Sequence, residues 1–582
     1  MALVAQALLP VLMVALRHHE QPGMAVPRDF SRRLRCAHMY ILGISTLGRS
    51  SAVALIDDHS VLFAIEEEKL SRQDSPDVPR LALERCLRES RVKLADSRAI
   101  ALAERSSPVP RARRGRRRPK RPERSAMQQQ LLDLLRGGPR PTHFDHHLCH
   151  AASAYYTSGY DRALILSLDE GANSLAGMVL SGDGDEIRPL HGLKFPDSFG
   201  WFYSRLTELA GLRPHKDEHK IQWLSKDGQP EYLPVFRKLF NWKANGLPVL
   251  NRRYFDSGPD HRGIFAPQLY RELGLSSRGG SPNAVVRANL ARSAQDYLEE
   301  LVLQLAANFQ EQTGIHSLCV AGGIFQNVLL VRALETRSMF HHVYVQPVSG
   351  NAGTALGAAY LSRKKIKGHS GRAPLATLAL GMQSDSQEMK AVLDNCKITY
   401  RYLSGEEQTV EEAVGLLLRD KILAWCQGRT EFGHRALGNR SLLASPFSEY
   451  VLENVNQFIK HREGFHPFAL SVPAERAADY FDASPNCRFL ASLGTLTRPV
   501  AGLERFAFHG NSVRVHTVER QDNPLFWKLL HKFGESAPAP ILVNTSFNLF
   551  GEPLVTDPRG AVRSFYCAGV DALALGPFLL VK

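Results

Sequence analysis

Residues 40–66 read YILGISTLGRSSAVALIDDHSVLFAIE, and the fold is decided there. Apolar runs at 40–47, 52–57 and 61–66 are short and separated by turn residues, so they read as three strands. Asp57-Asp58 closes the hairpin between the second and third. The unit returns at 163–187 as ALILSLDEGANSLAGMVLSGDGDEI. A strand ends at Leu168, the turn is Asp169-Glu170-Gly171, and a second strand runs from Leu175 to Leu180. A Gly182-Asp183-Gly184 turn leads to a third strand from Ile187. Two copies of strand–turn–strand–turn–strand imply an internally duplicated α/β core.

Downstream, 286–313 has helical periodicity and Ser317 to Ala321 reads as a strand. Gly322-Gly323 turns it into a helix at 325–336. Another strand spans Val343 to Gln346, and a glycine-rich turn leads to a helix from Gly353. This β-α-β-α alternation predicts a mostly parallel sheet. Actin-like ATPase folds are duplicated in this way and hold nucleotide between their halves. The polar, basic stretch 363–376 places a domain boundary. The chain beyond it is long enough for a second α/β domain.

The chain has 582 residues, 44% hydrophobic and 22% charged, with net charge +14. That is globular composition with more than one core. Much of the excess charge sits between Arg111 and Arg124, a like-charge block that reads as a solvated insert at about 105–125 rather than a nucleic-acid arm. The eight cysteines are scattered with no CxxC pair, which fits a reducing, cytoplasmic compartment and argues against a disulfide framework. The apolar start, Met1 to Leu16, is too short to span a membrane, so residues 1–38 read as a non-core extension.

Five motifs carry chemistry. In DHHLCHA, His146 and His150 share a helix face and can point at one ion. Asp169 ends a buried strand, where a carboxylate is costly unless paired or metal-bound. Two imidazoles and a carboxylate suit zinc, iron or manganese without choosing among them. GNAGTALG (350–357), with Gly350 and Gly353, and Gly322-Gly323 offer close backbone approach to a nucleotide. GRTEFGHRALGNRS (428–441) carries Arg429, Arg435 and Arg440, whose planar forks match phosphate oxygens. KHREGFHPF adds Lys460 and Arg462. VNTSFNLFGEP supplies neutral donors and acceptors in Asn544, Thr545, Ser546 and Asn548. No GxxxxGK[ST] phosphate loop occurs.

Taken together, GRTEFGHRALGNRSLLASP, KHREGFHPFALSV and LVNTSFNLFGEPLVTDP resemble the NodU/CmcH family of carbamoyltransferases. The segments ILGISTLGRSSAVAL, EEEKLSRQ, HHLCHAASAYYTSG and SGNAGTALGAA resemble it in the same order, from about Met39 to the C-terminus. The resemblance implies an actin-like transfer domain at 39–368, akin to threonylcarbamoyl-transfer ATPases, and a YrdC-like activating domain at 369–582. It implies carbamoyl phosphate as donor and ATP as co-substrate, joined as carbamoyl-adenylate. The carbamoyl group then goes to a hydroxyl of a small-molecule or sugar acceptor. No membrane or nucleic-acid partner is expected, and a homodimer is compatible with the reading.

By that resemblance Arg429, Arg435, Arg440, Lys460, Arg462, Asn544, Thr545, Ser546 and Asn548 serve activation. Gly322, Gly323, Asn327, Gly350, Gly353 and Lys220 hold the nucleotide. His146, His150, Asp169 and Asn351 hold a divalent ion such as Fe(II). The chain departs from the family at Asn351, where an aspartate is usual, so metal affinity should fall. It departs at Gly48-Arg49, where a His-Asp pair is common, and around Lys220-Ile221-Gln222-Trp223. His434 and His466 replace the usual proline and arginine. A tRNA-directed carbamoyl transferase and a nucleotide-binding scaffold without transfer activity are the alternatives.

Overall fold

Strand β1 (Ile41–Ser45) is buried along its whole length and hydrogen-bonded on both sides. It pairs antiparallel with β2 (Ala52–Ile56) and parallel with β4 (Ala99–Glu104). β3 (Val61–Glu66) extends the meander, and β5 (Thr142–Asp145) adds to β4, giving the order β3-β2-β1-β4-β5. The second unit repeats this. β6 (Arg162–Ala172), β7 (Leu175–Asp183) and β8 (Glu186–Lys194) form its meander. A small hairpin, β9 (Phe240–Trp242) and β10 (Pro248–Leu250), intervenes. β11 (Ser317–Ala321) and β12 (His342–Val345) then add parallel to β6, giving β12-β11-β6-β7-β8. The same strand order and the same mixture of parallel and antiparallel pairs occur twice, so the duplicated actin-like core stands on topology alone.

In this computed structural model the described residues are 39–46, 50–73, 78–104, 126–172, 175–256, 265–276, 282–549 and 551–582. Residues 1–38, the basic block at 105–125 and Gly48-Arg49 lie outside them. No helix among the described residues is long and apolar enough to cross a membrane, and the described cysteines are all free.

Two helices, His146–Ser158 and Gly353–Lys367, pack on each other between the five-stranded sheets. Their contact is backbone to backbone. A Cβ on Gly357 would lie 1.9 Å from the Cys149 carbonyl oxygen, and one on Gly43 of β1 would lie 1.9 Å from that of Ala355. Gly357 of the GNAGTALG segment therefore serves helix packing. The long helix Ala284–Thr313 covers the second sheet. It buries Leu298, Leu301, Val302 and Leu305 there, each adding about 1.5–3 kcal/mol of transfer free energy.

Residues beyond 400 form a ten-stranded sheet. Its strands are β13 (Arg401–Tyr402), β14 (Leu423–Cys426), β15 (Arg440–Ala444), β16 (Ala469–Pro473) and β17 (Phe481–Asp482). They continue with β18 (Gly494–Leu496), β19 (Ser512–Val518), β20 (Leu542–Ser546), β21 (Ala572–Leu575) and β22 (Phe578–Val581). The order is β13-β22-β21-β14-β15-β20-β16-β19-β18-β17. Apolar clusters cover both faces, one around Leu470, Val515 and Leu573, the other around Trp425, Phe526 and Leu542.

The chain from Tyr40 to Lys582 packs as one unit. Helix Gly353–Lys367 runs well into the expected linker. Residues 378–382 then join β3 to the loop at 430–432: Ala64 N–H donates to Leu380 O (3.0 Å), and Thr430 N–H to Met382 O (2.8 Å). A buried ion pair fastens that loop. Lys69 Nζ lies 2.8 Å from Glu66 Oε2, with both side chains under 5% exposed. It also donates to the carbonyls of Glu431 (2.7 Å) and Gly433 (2.6 Å). Glu66 Oε1 accepts the Gly433 N–H at 2.6 Å. Glu431, itself buried, accepts the N–H groups of Leu437, Asn439 and Arg440 through Oε1. Lys69→Met strands Glu66 in the interior and should cost about 3–5 kcal/mol, read as a lower urea midpoint. The double variant Glu66→Gln/Lys69→Met should recover part of it. A loss under about 0.5 kcal/mol, the level of a plain surface change, would show that the clamp does not hold.

Candidate active site

Asp145 caps helix His146–Ser158 by accepting the Leu148 N–H at 3.0 Å, which fixes the phase of its first turn. His146 and His150 then face the end of β6. His146 Nε2 is 3.0 Å from Asp169 Oδ2 and His150 Nε2 is 3.5 Å from the same oxygen. Their rings meet edge to face, with centroids 4.6 Å apart. His147 turns away to Ser167 Oγ (2.9 Å).

Asp169 sits where β6 leaves its ladder. Pairing with β7 runs to Leu168↔Gly177 and resumes at Ala172↔Leu175. The intervening bulge turns two consecutive carboxylates, Asp169 and Glu170, toward one cavity, a re-aiming typical of bulges beside active sites. The Ser198 hydroxyl pins the bulge by donating to the Asp169 and Glu170 carbonyls at 3.2 and 2.6 Å.

Burial alone would raise the Asp169 pKa. The adjacent His146 and His150 imidazoles outweigh it and hold the carboxyl well below its usual range. Burial, then His146, pushes the His150 pKa down. The result is an ionised carboxylate beside a His150 imidazole biased toward its neutral form, the state a divalent cation requires of its ligands. The three ligand atoms lie within 4.8 Å of one another. Neither nitrogen of the buried His150 makes a hydrogen bond within the protein, and such orphans are uncommon in interiors. The donor set therefore fits a zinc-, iron- or manganese-like ion. Asn351 interacts with His150 and lines the same cavity.

That cavity has a volume of about 1640 Å³. On one wall it reaches Asp169, Gly323, Asn327, Gly350 and Asn351. On the other it reaches Arg435, Lys460, Arg462, Arg514, Ser546 and Asn548. The second wall is cationic, and among the described residues none of its four bases has a carboxylate within ion-pair distance. Lys460 donates to Asn548 Oδ1 (2.6 Å) and to the Ser546 carbonyl. Arg462 donates to Asn456 Oδ1 (2.7 Å) and lies over Phe468. Arg514 lies over Trp223 with its Nε unpartnered, as is Nη2 of Arg462. Burial drives the Lys460 pKa well down, and burial with the nearby Arg435 and Arg462 does the same to Arg514. Burial lowers Arg435 and Arg462 to about 10. Crowded, desolvated and uncompensated cations of this kind are relieved by an anionic ligand.

The structure does not bring all the expected residues here. Arg429 donates to the carbonyls of Gly381, Leu62 and Leu380. Arg440, 2% exposed, donates to those of Gln427, Asn439 and Gly428. Both arginines tie backbone together, and only Arg435 of the three reaches the cavity. The reason is local: Gly428, Gly433 and Gly438 all have positive φ, so the loop reverses and successive arginines point apart. Asn544 donates to Ala436 O and Ser471 Oγ behind the wall, and Thr545 pairs with Leu442 inside the sheet. Gly322 and Gly353 meet the protein's own backbone: a Cβ would lie 1.9 Å from Leu168 O and 2.1 Å from Val348 O. Lys220 lines the cavity, paired with Glu463 at 2.7 Å. The sequence reading missed Arg514, whose signal is an arginine inside the apolar alternation SVRVHTV. It also missed the Glu170 carboxylate as a cavity group.

Residues 131–360 match the family model described as Carbamoyltransferase N-terminus, and residues 414–582 match Carbamoyltransferase C-terminus. A Synechocystis sp. relative, "Uncharacterized protein sll1178", is 30% identical over 93% of this chain and 97% of its own. "Nodulation protein NolNO" of Sinorhizobium fredii is 30% identical over 92% of this chain and 80% of its own. "3'-hydroxymethylcephem-O-carbamoyltransferase" of Amycolatopsis lactamdurans is 28% identical over 50% and 55%. A crystal structure of T. kodakarensis HypF aligns over 57% of this chain and 48% of its own at 15% identity, with a TM-score of 0.32, too low to add to the strand order. Full-length kinship and both family models, in the order the motifs require, make the chain a member of the NodU/CmcH family of carbamoyltransferases.

Proposed function

We propose that the chain is an ATP-dependent O-carbamoyltransferase. Residues 369–582 activate a carbamoyl group, and residues 39–368 pass it to a hydroxyl of a small-molecule or glycan acceptor. One observation carries the reading: four cations with no carboxylate at ion-pair distance among the described residues line the cavity that Asp169, of the His146, His150 and Asp169 cluster, also lines. Carbamoyl phosphate and ATP are polyanions that suit the first group, and transfer to a hydroxyl needs the polarising chemistry of the second.

The chemistry balances in two stages. Water cleaves carbamoyl phosphate to carbamate and phosphate. A carbamate oxygen then attacks the α-phosphorus of ATP, forming carbamoyl-adenylate and releasing pyrophosphate. Arg435, Arg462 and Arg514 hold the phosphates and take up the charge that builds on the leaving pyrophosphate. Lys460 is anchored by Ser546 and Asn548, so its ammonium is already placed. Gly323, Gly350 and Asn327 border the nucleotide's path toward Asp169. His146, His150 and Asp169 would hold a divalent ion, Fe(II) among the candidates, with Asn351 adding a neutral oxygen; such an ion supplies Lewis-acid polarisation of a carbonyl.

Arg435→Ala and Arg514→Ala should each cut carbamoyl-phosphate-dependent pyrophosphate release about 10²-fold or more. Both should lose the rise in Tm that pyrophosphate gives the native protein. Unchanged release in both variants contradicts the assignment. In isothermal titration of chelator-stripped protein, His150→Ala should weaken divalent-ion binding at least about ten-fold. Equal affinity would remove the metal reading.

A further inference from the structure

Two cations of the anion-binding wall are anchored by side-chain oxygens, Lys460 by Asn548 and Arg462 by Asn456. Arg514 is not. Its Nε has no hydrogen-bond partner, and among the described residues no carboxylate comes within ion-pair distance of it. Arg435 and Arg462 add like charge nearby. A guanidinium so crowded swings away from its neighbours unless a contact opposes the repulsion.

The opposing contact comes from the other half of the chain. Cζ of Arg514 lies over the Trp223 ring, 5.6 Å from its centroid, within the ~6 Å reach of a cation–π contact. Arg514 sits on β19, in the span read as activating. Trp223 sits on helix Glu218–Leu224, in the span read as transferring. Both line the cavity.

The indole is itself fixed. It is 4% exposed, stacks on Phe508 with ring centroids 5.4 Å apart at 16°, and packs with Val328 and Leu493. Phe508 ties this stack to the start of β19, because its N–H donates to Ser512 O at 2.7 Å. On its own side the helix is held by Gln222, whose Oε1 accepts the Val328 N–H at 3.2 Å. Lys220, three residues before Trp223 and on the same helix face, meets Glu463 at 2.7 Å. The helix therefore reaches the activating half at two points, and the indole against Arg514 is one of them.

The choice of partner matters chemically. A carboxylate would hold Arg514 but would cancel its charge and occupy its N–H groups. An indole face attracts the cation, more strongly where water is excluded, and leaves those N–H groups for phosphate oxygens. We propose that Trp223 is a positioning residue for Arg514, holding the guanidinium at the cavity wall without neutralising it. The phosphate-binding wall of 369–582 is then incomplete without residues of 39–368. The inference deepens the carbamoyl-transfer reading and takes its ligand class from it.

The test uses the full chain with pyrophosphate as the probe and Kd from isothermal titration calorimetry. Trp223→Leu should weaken pyrophosphate binding about ten-fold. In an Arg514→Ala background the same substitution should change Kd by less than about two-fold, since the two side chains act as a pair. Site-specific replacement of Trp223 by a polyfluorinated tryptophan keeps the ring's shape and drains its negative face. It should also weaken binding, and it decides the matter where Trp223→Leu does not fold. Trp223→Phe, which keeps an aromatic face, should lie between native and Trp223→Leu. Equal weakening by Trp223→Leu with and without Arg514 overturns the proposal and leaves Trp223 a packing residue. Native affinity in the fluorinated protein overturns it too. Absence of carbamoyl-phosphate-dependent pyrophosphate release from the native protein removes the carbamoyl-transfer reading, while the pyrophosphate affinities still judge Trp223 separately.

Discussion

The Lys69 ammonium is the contact on which the arrangement depends. It is buried beside Glu66 and donates to two carbonyls of the loop at 431–433, some 360 residues away along the chain. A buried cation is tolerated only when it is paired and hydrogen-bonded, and here the Glu66 carboxylate supplies the counter-charge and two carbonyls accept its protons. The geometry admits little slack. Glu431 continues the clamp by gathering three N–H groups of the returning strand. The loop carrying Arg435 is thus fixed to the edge of the first duplicated sheet. Because that loop forms part of the cationic wall, the clamp sets the distance between the wall and Asp169.

Two kinds of electrostatics then share one cavity. Around Asp169 the imidazoles stabilise a carboxylate anion, and the site suits a cation. Across the cavity Arg435, Lys460, Arg462 and Arg514 destabilise one another, and the wall suits an anion. Opposed, unneutralised demands at two ends of one space fit a ligand carrying a phosphate chain at one end and a group to be transferred at the other. The fold supplies both with local devices: an N-cap that phases His146 and His150, a bulge that turns Asp169 inward, and stacking of arginines on Phe468 and Trp223.

The duplicated core was legible because its strands are apolar runs bounded by turn residues. The expected strands at 40–47, 52–57 and 61–66 appear as Ile41–Ser45, Ala52–Ile56 and Val61–Glu66. Ser317–Ala321 appears with the bounds read from sequence. The His146, His150 and Asp169 convergence was legible too, since helical spacing and a strand end fix directions. What failed was direction within the arginine loop. An arginine donating to carbonyls and one aimed at a ligand are the same letter, and three positive-φ glycines decide between them. Gly353 and Gly357 misled for a related reason: their close approach is to Val348 and Cys149, whereas Gly350 does line the cavity. Lys69 and Glu66 were invisible as a clamp because their partners lie far along the chain.

The central claim is that one cavity joins an anion-binding wall to the Asp169 cluster and holds the activated carbamoyl group between them. A crystal structure of the full chain with a non-hydrolysable ATP analogue tests it most directly. The account predicts phosphate oxygens within hydrogen-bond distance of Arg435, Arg462 and Arg514, in the same cavity that reaches Asp169. Phosphates bound elsewhere, with those three guanidinium groups facing only solvent, would contradict it.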